Sequence, residues 1–333
     1  MQKHIYIYSP SGAVRDKAAF RRGVKRLQAL GHEVEVDEAA LSSFQRFAGD
    51  DATRLAAIQR AAASGADVAM ISRGGYGLTR ILGHLPYKAV AKAIERGTKF
   101  VGLSDFTAFQ LAVLARTGSP TWAGPSLCEG FGMNDQADGA DGHGHGDEGA
   151  RMNHGSLFRR HDPGPGEGTG WRQPREPLPI AMNNEAFHAR RMGDEASFAV
   201  KDGVLWGGNL AVLCALVGTP YFPQIQGGIL FLEDVAEHPY RIERMLSQLL
   251  HAGVLARQKA IVLGQFTEFK LVPHDKGFKL QSVVNWLRSQ LKVPVLTNLP
   301  FGHVPTKVLL PVGAKTDLVV QGRDVLLLWG HQH

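Results

Sequence analysis

Phe100-Val101-Gly102-Leu103-Ser104-Asp105-Phe106-Thr107-Ala108 is the stretch whose reading decides the fold. Phe100–Leu103 is a short apolar run, it stops at a Ser-Asp pair, and apolar side chains at helical spacing run on from Thr107 to Arg116. A strand that passes into a helix through so tight a turn is half of a βαβ unit. Upstream the same alternation repeats. Ile5–Tyr8 reads as a strand that ends at Ser9-Pro10-Ser11-Gly12, and Lys17–Leu30 as a helix closed by Gly31. Glu33–Val36 is a strand, Asp51–Ala63 a helix, Val68–Ser72 a strand, and Leu78–Leu82 the start of another helix. This rhythm predicts a mostly parallel sheet covered on both faces, with functional loops at the carboxyl ends of its strands.

Downstream the composition changes. Residues 134–185 form a segment rich in Gly, Asp and His, including Asp141-Gly142-His143-Gly144-His145, which has too little apolar surface to offset its ordering entropy and predicts a mobile insertion and linker. Order returns from about Ala186. Val204–Gly208 leads into an apolar helix at Asn209–Leu216, Gly228–Leu232 and Lys259–Leu263 read as strands, and Tyr240–Ala252 and Leu280–Leu291 as helices. Strands follow near Val295–Leu296 and Leu309–Pro311, then a hairpin of Leu318–Val320 and Val325–Trp329. The expected division is 1–133, 134–185 and 186–333, the last α/β with more antiparallel character.

Composition excludes several classes. The 333 residues are 44% hydrophobic and 20% charged, ordinary for a chain with a buried core. No run approaches the ~20 apolar residues of a membrane span, and the first residues lack the apolar region of a secretory signal. The expected compartment is therefore the cytoplasm, with no membrane partner. The net charge is +6, but the cations are dispersed, as at Arg21-Arg22 and Arg190-Arg191, so no nucleic-acid partner is expected. Cys128 and Cys214 belong to no CxxC pair and read as buried thiols. Asp141, His143, His145, Asp147 and His154 have metal-ligand chemistry, but their glycine flanks give ligands no rigid support. No metal and no cofactor is expected.

Four features carry chemistry. Ser104 sits where a strand turns sharply into a helix, the geometry of a nucleophile elbow, although Phe106 stands where GxSxG has its second glycine; a helix N-cap is the other reading. Ser72-Arg73-Gly74-Gly75-Tyr76-Gly77 exposes backbone amides suited to an oxyanion and fits neither phosphate-loop pattern. Glu233-Asp234 ends an apolar strand, where one acid could orient an imidazole or both could form a surface pair. His303, in Phe301-Gly302-His303, is a candidate base or a structural histidine. The order Ser, Glu, His is the one α/β hydrolases use.

With Arg46-Phe47-Ala48-Gly49, Leu205-Trp206-Gly207-Gly208-Asn209-Leu210, Leu232-Glu233-Asp234-Val235 and Tyr240–Leu246 added, the chain resembles the LD-carboxypeptidases over nearly its whole length outside the insertion. That family includes the muramoyltetrapeptide carboxypeptidases of peptidoglycan recycling. The resemblance implies an amino-terminal flavodoxin-like α/β domain, a carboxyl-terminal swivelling β/α domain, and a homodimer. It implies Ser104 as nucleophile, His303 as base, Glu233 rather than Asp234 as its orienter, and the amides of Gly75 and Asp105 as the oxyanion hole. The implied reaction releases the terminal D-alanine of a murein tetrapeptide. A carboxypeptidase must also hold that residue's carboxylate, for which Arg73 and Arg241 are candidates because a guanidinium matches a carboxylate bidentately. Two other readings stay in view: a sister self-immunity hydrolase that cleaves a peptide-nucleotide antibiotic, and a small-ligand binding protein with no catalysis.

Overall fold

The computed structural model describes residues 2–133, 197–305, 307–322 and 324–330, and the backbone of 167–172. The cluster from Asp141 to His154 lies outside them, as does most of the expected insertion.

Two sheets organise the chain. The first contains β1 (His4–Tyr8), β2 (Glu33–Val36), β3 (Val68–Ile71), β4 (Lys99–Gly102) and β5 (Thr121–Ala123), in the order β2-β1-β3-β4-β5, all parallel. That is the flavodoxin-like order, whose direction reverses between β1 and β3. Beyond His4, the strands β1 and β3 carry hydrophobic side chains that are all buried, as a sheet covered on both faces requires. Helices α1 (Lys17–Ala29), α2 (Asp51–Ala63), α3 (Tyr87–Glu95) and α4 (Phe106–Thr117) cover it. Asp16 caps α1 by accepting from the amides of Ala18 and Ala19, and Asp50 caps α2 through Thr53.

The second sheet joins β6 (Glu167–Arg172), β7 (Ser197–Asn209), β8 (Ile229–Val235), β9 (Ala260–Thr267), β10 (Val295–Leu296), β12 (Lys315–Gln321) and β13 (Asp324–Trp329). Its order is β10-β9-β8-β7-β12-β13-β6. The β7-to-β10 part is parallel and the rest antiparallel, the mixed character expected of this half. Helices α5 (Leu210–Leu216), α6 (Pro239–His251) and α7 (Leu280–Gln290) belong to it.

One strand crosses over. β11 (Leu310–Val312) comes late in the chain, yet pairs antiparallel with β5 and so becomes the edge of the first sheet. The chain therefore runs from β10 in one sheet to β11 in the other, then back to β12. His303 lies on that crossing segment.

Three details differ from the sequence reading. Leu78–Arg80 and Leu82–His84 are single 3₁₀ turns, and the helix begins only at Tyr87, after Pro86; proline suits a helix start and not its interior. β5, only three residues long, was too short to stand out as a strand. Glu167–Arg172, inside the expected insertion, extends the second sheet as an edge strand through backbone pairing with β13, which needs no apolar pattern.

Candidate active site

Ser104 follows β4 and Leu103 with φ +64°, in the left-handed region that L side chains avoid. Such a conformation costs roughly 1–3 kcal/mol and persists only where its surroundings impose it. Here they do. Phe106 N–H closes the turn onto Leu103 O at 3.2 Å and Thr107 N–H onto Ser104 O at 2.9 Å, so α4 starts immediately. Gly102 lets the elbow sit tightly: a Cβ there would lie 2.7 Å from both Ile71 and Phe106.

The N-cap alternative does not describe this serine. Asp105 is the N-cap of α4, and Ser104 Oγ accepts no hydrogen bond among the described residues. Its half-buried side chain instead lines a cleft of about 970 Å³.

The loop after β3 presses against the serine. A Cβ at Gly74 would come within 2.8 Å of Ser104 Cβ, and one at Gly75 (φ +138°) within 2.8 Å of Gly12 Cα. Only glycine fits at both positions. Neither Gly75 N–H nor Asp105 N–H has an acceptor among the described residues. The Asp105 carboxylate faces away into the fold, accepting from Ser11 Oγ and from Leu78 N–H at 2.9 Å. Burial pushes that carboxyl's pKa up, against the lowering effect of the two hydrogen bonds. It thereby ties the loops after β1 and β3 to the elbow.

The second sheet supplies the facing groups. Glu233, wholly buried near the end of β8, accepts from His303 Nδ1 through Oε2 at 2.8 Å and from Asn209 Nδ2 through Oε1 at 3.3 Å. Asp234 is engaged elsewhere: it accepts from Asn209 Nδ2 and the amides of Ala211 and Val235, all within 2.9 Å. Burial, with the charge of Glu233 beside it, pushes Asp234 up to about 6. The surface-pair reading of these two acids does not hold, because both are buried.

His303 lines the same cleft as Ser104 and Gly75. Gly302 (φ +143°) makes its placement possible, because a Cβ there would meet Gln265 O at 2.9 Å and Glu233 Oε2 at 3.3 Å. Burial favours the neutral imidazole, but the hydrogen bond and charge of Glu233 outweigh it and raise His303 above its ordinary value. With Nδ1 bonded to the carboxylate, Nε2 is the nitrogen left to accept a proton. A hydroxyl, an imidazole oriented by a buried carboxylate and two available amides around one cleft can perform acyl transfer.

The two substrate-binding candidates separate. Arg73 lines the cleft, half-buried, with Nη1 donating to Ala13 O at 3.3 Å. Arg241 is not among the cleft residues; it lies half-exposed on α6, paired with Glu237 and stacked near Tyr240.

Four contributors escaped the sequence reading. Thr107 Oγ1 accepts from Asn209 N–H at 3.0 Å, joining the helix that follows Ser104 to the residue that holds Glu233. Both lie inside quoted motifs, but only the fold brings them together. Glu129 and Lys307 also line the cleft. The one signal for Lys307 was a lone lysine close after His303 in an otherwise apolar run.

Residues 5–124 match the LD-carboxypeptidase N-terminal domain and residues 202–318 the LD-carboxypeptidase C-terminal domain. The solved muramoyltetrapeptide carboxypeptidase from Oxalobacter formigenes is 36% identical, with a TM-score of 0.76 over 98% of this chain and 99% of its own. The "Probable murein peptide carboxypeptidase" of Bacillus subtilis is 27% identical over 88% of this chain and 81% of its own. The Microcin C7 self-immunity protein MccF of Escherichia coli is 25% identical over 77% of this chain and 72% of its own. A solved structure of MccF superposes with a TM-score of 0.78 over 99% of this chain and 96% of its own; at 22% identity it speaks to the fold alone.

Proposed function

Since this chain belongs to the LD-carboxypeptidase family, we propose that it releases the terminal D-alanine from the murein tetrapeptide L-Ala-γ-D-Glu-meso-diaminopimelate-D-Ala, by an acyl-enzyme route through Ser104. The chain is a serine-type carboxypeptidase; the substrate and the residue roles are our reading. The observation that carries it is the left-handed Ser104 facing a cleft shared with a Glu233-bound His303.

His303 Nε2 takes the proton of Ser104 Oγ as that oxygen attacks the diaminopimelate carbonyl. The oxyanion is held by the amides of Gly75 and Asp105. The C–N bond then breaks, His303 returns its proton to the leaving amine, and D-alanine departs. Water, deprotonated by His303, attacks the ester and frees tripeptide and serine. Glu233 keeps the ring in the required tautomer and stabilises the imidazolium. The reading places the reaction in the cytoplasm, in peptidoglycan recycling, carried out by a homodimer; family resemblance is the support for the last two points.

The test compares three compounds: the tetrapeptide, its diastereomer ending in L-alanine, and a peptidyl-nucleotide of the antibiotic type. Cleavage of the first by at least ~100-fold in kcat/KM over the others is the expected result. Preference for the nucleotide conjugate would move the protein to the self-immunity activity, and binding without turnover of any compound would make it a ligand carrier.

A further inference from the structure

The cleft is rich in cations, but they are unequal. Arg15 and Arg46 are exposed, Arg22 and Arg73 half-buried, and Lys307 is only 5% exposed. Among the described residues lining the cleft, Lys307 is the one buried cation.

The chemistry of the proposed reaction says where a carboxylate-reading cation must stand. In a peptide, the terminal carboxylate sits on the carbon bonded to the leaving nitrogen. During acyl transfer that nitrogen faces the base, and the oxyanion faces the donor amides on another side. The cation must therefore lie on the His303 side of Ser104, away from Gly75. Arg73 precedes the Gly74-Gly75 pair, and its Nη1 is turned to the Ala13 carbonyl, over Gly12. Lys307 lies on the segment that carries His303 between the sheets, four positions further along. Its charge acts on the His303 imidazole and is itself felt by Glu129 and Glu233. Burial pushes this ammonium below its ordinary range. A cation stripped of most of its water attracts an incoming carboxylate far more strongly than a surface lysine does.

We propose that Lys307 is the specificity residue that binds the free carboxylate of the substrate's terminal D-alanine, which makes the enzyme an exopeptidase rather than an endopeptidase. This rests on the tetrapeptide reading above and deepens it. One ammonium beside the base admits one terminal residue, because a chain continuing beyond D-alanine presents an uncharged amide where the carboxylate should be.

The test measures kcat/KM on the tetrapeptide and on the same peptide ending in D-alaninamide, with the intact protein, Lys307→Met and Lys307→Arg. The intact protein should prefer the free acid by about 100-fold, the scale of a desolvated charge-assisted contact. Lys307→Met should lose that factor from the acid-to-amide ratio of kcat/KM, in which any effect of its charge on His303 cancels, and Lys307→Arg should restore part of the preference. Two results overturn the assignment: an intact protein that cleaves acid and amide equally, or a Lys307→Met protein that keeps the preference. Absence of D-alanine release by the intact protein is a different failure, and it sinks the tetrapeptide reading instead.

Discussion

At the scale of single residues, the account turns on His303 and its carboxylate. Because Glu233 raises the imidazole's pKa, the free enzyme should lose kcat/KM as pH falls through a value above the ordinary ~6.5 of histidine, since only the neutral ring can take the serine's proton. Glu233→Gln removes the charge while keeping the shape. Burial and the Lys307 charge then oppose only the charge of Glu129, so the acidic limb of the pH profile should move downward, with kcat lower by roughly 10³–10⁴-fold from loss of the oriented tautomer. An unmoved limb would show that Glu233 does not govern the base. The same pairing has a stability sign. A histidine whose folded pKa is raised contributes stability that is full below its unfolded value and fades as pH rises through the folded one. What each residue could be was legible in the sequence; which alternative holds was not. Ser104 could have been a cap and Asp234 the orienter, and only the positive φ of the first and the amide partners of the second separate the readings.

Among the elements, the site is made by loops at the carboxyl ends of strands and by one crossing segment. Gly74 is the closest test of the loop geometry. Its missing side chain is the space Ser104 occupies, so Gly74→Ala should leave the cooperative thermal transition in place while lowering kcat by about 100-fold, the cost of displacing a reacting group by roughly 1 Å. Full activity in that variant would contradict the packing. Gly302 plays the matching part for His303. The strands and helices with clear period-2 or helical patterning, such as Glu33–Val36 and Asp51–Ala63, were legible to the residue. The three-residue β5 and the late start of α3 were not, because neither is long enough to carry a period. Least legible of all was the pairing of β11, read as a strand but with apolar residues that suit either sheet. Pairing across about 190 positions of sequence leaves no local trace.

For the whole molecule, Ser104 follows a strand of the first sheet while Glu233 belongs to the second, so the proposed reaction depends on how the sheets are joined. β11 is one joint. The other is the contact of Thr107 with Asn209, reinforced by Gly208, where a Cβ would sit 2.5 Å from Thr107 Oγ1. Thr107→Val keeps the volume and removes the acceptor, leaving a buried amide unmet. It should cost about 1–3 kcal/mol in chemical denaturation, and lower kcat more than it changes KM because Asn209 also holds Glu233. Thr107→Ser, which keeps the hydroxyl, should restore most of both. A loss of stability with unchanged kcat would reduce this contact to packing. The alternating strands and helices revealed two α/β halves, but the joint between them is a property of the folded chain, set by residues about 100 positions apart. The most direct test of the whole arrangement is D-alanine release from the tetrapeptide by the intact protein beside Ser104→Ala. Multiple turnovers by the first and a rate lower by about 10⁴-fold or more for the second are the result the proposed reaction predicts. Release by Ser104→Ala at the intact protein's rate would contradict it.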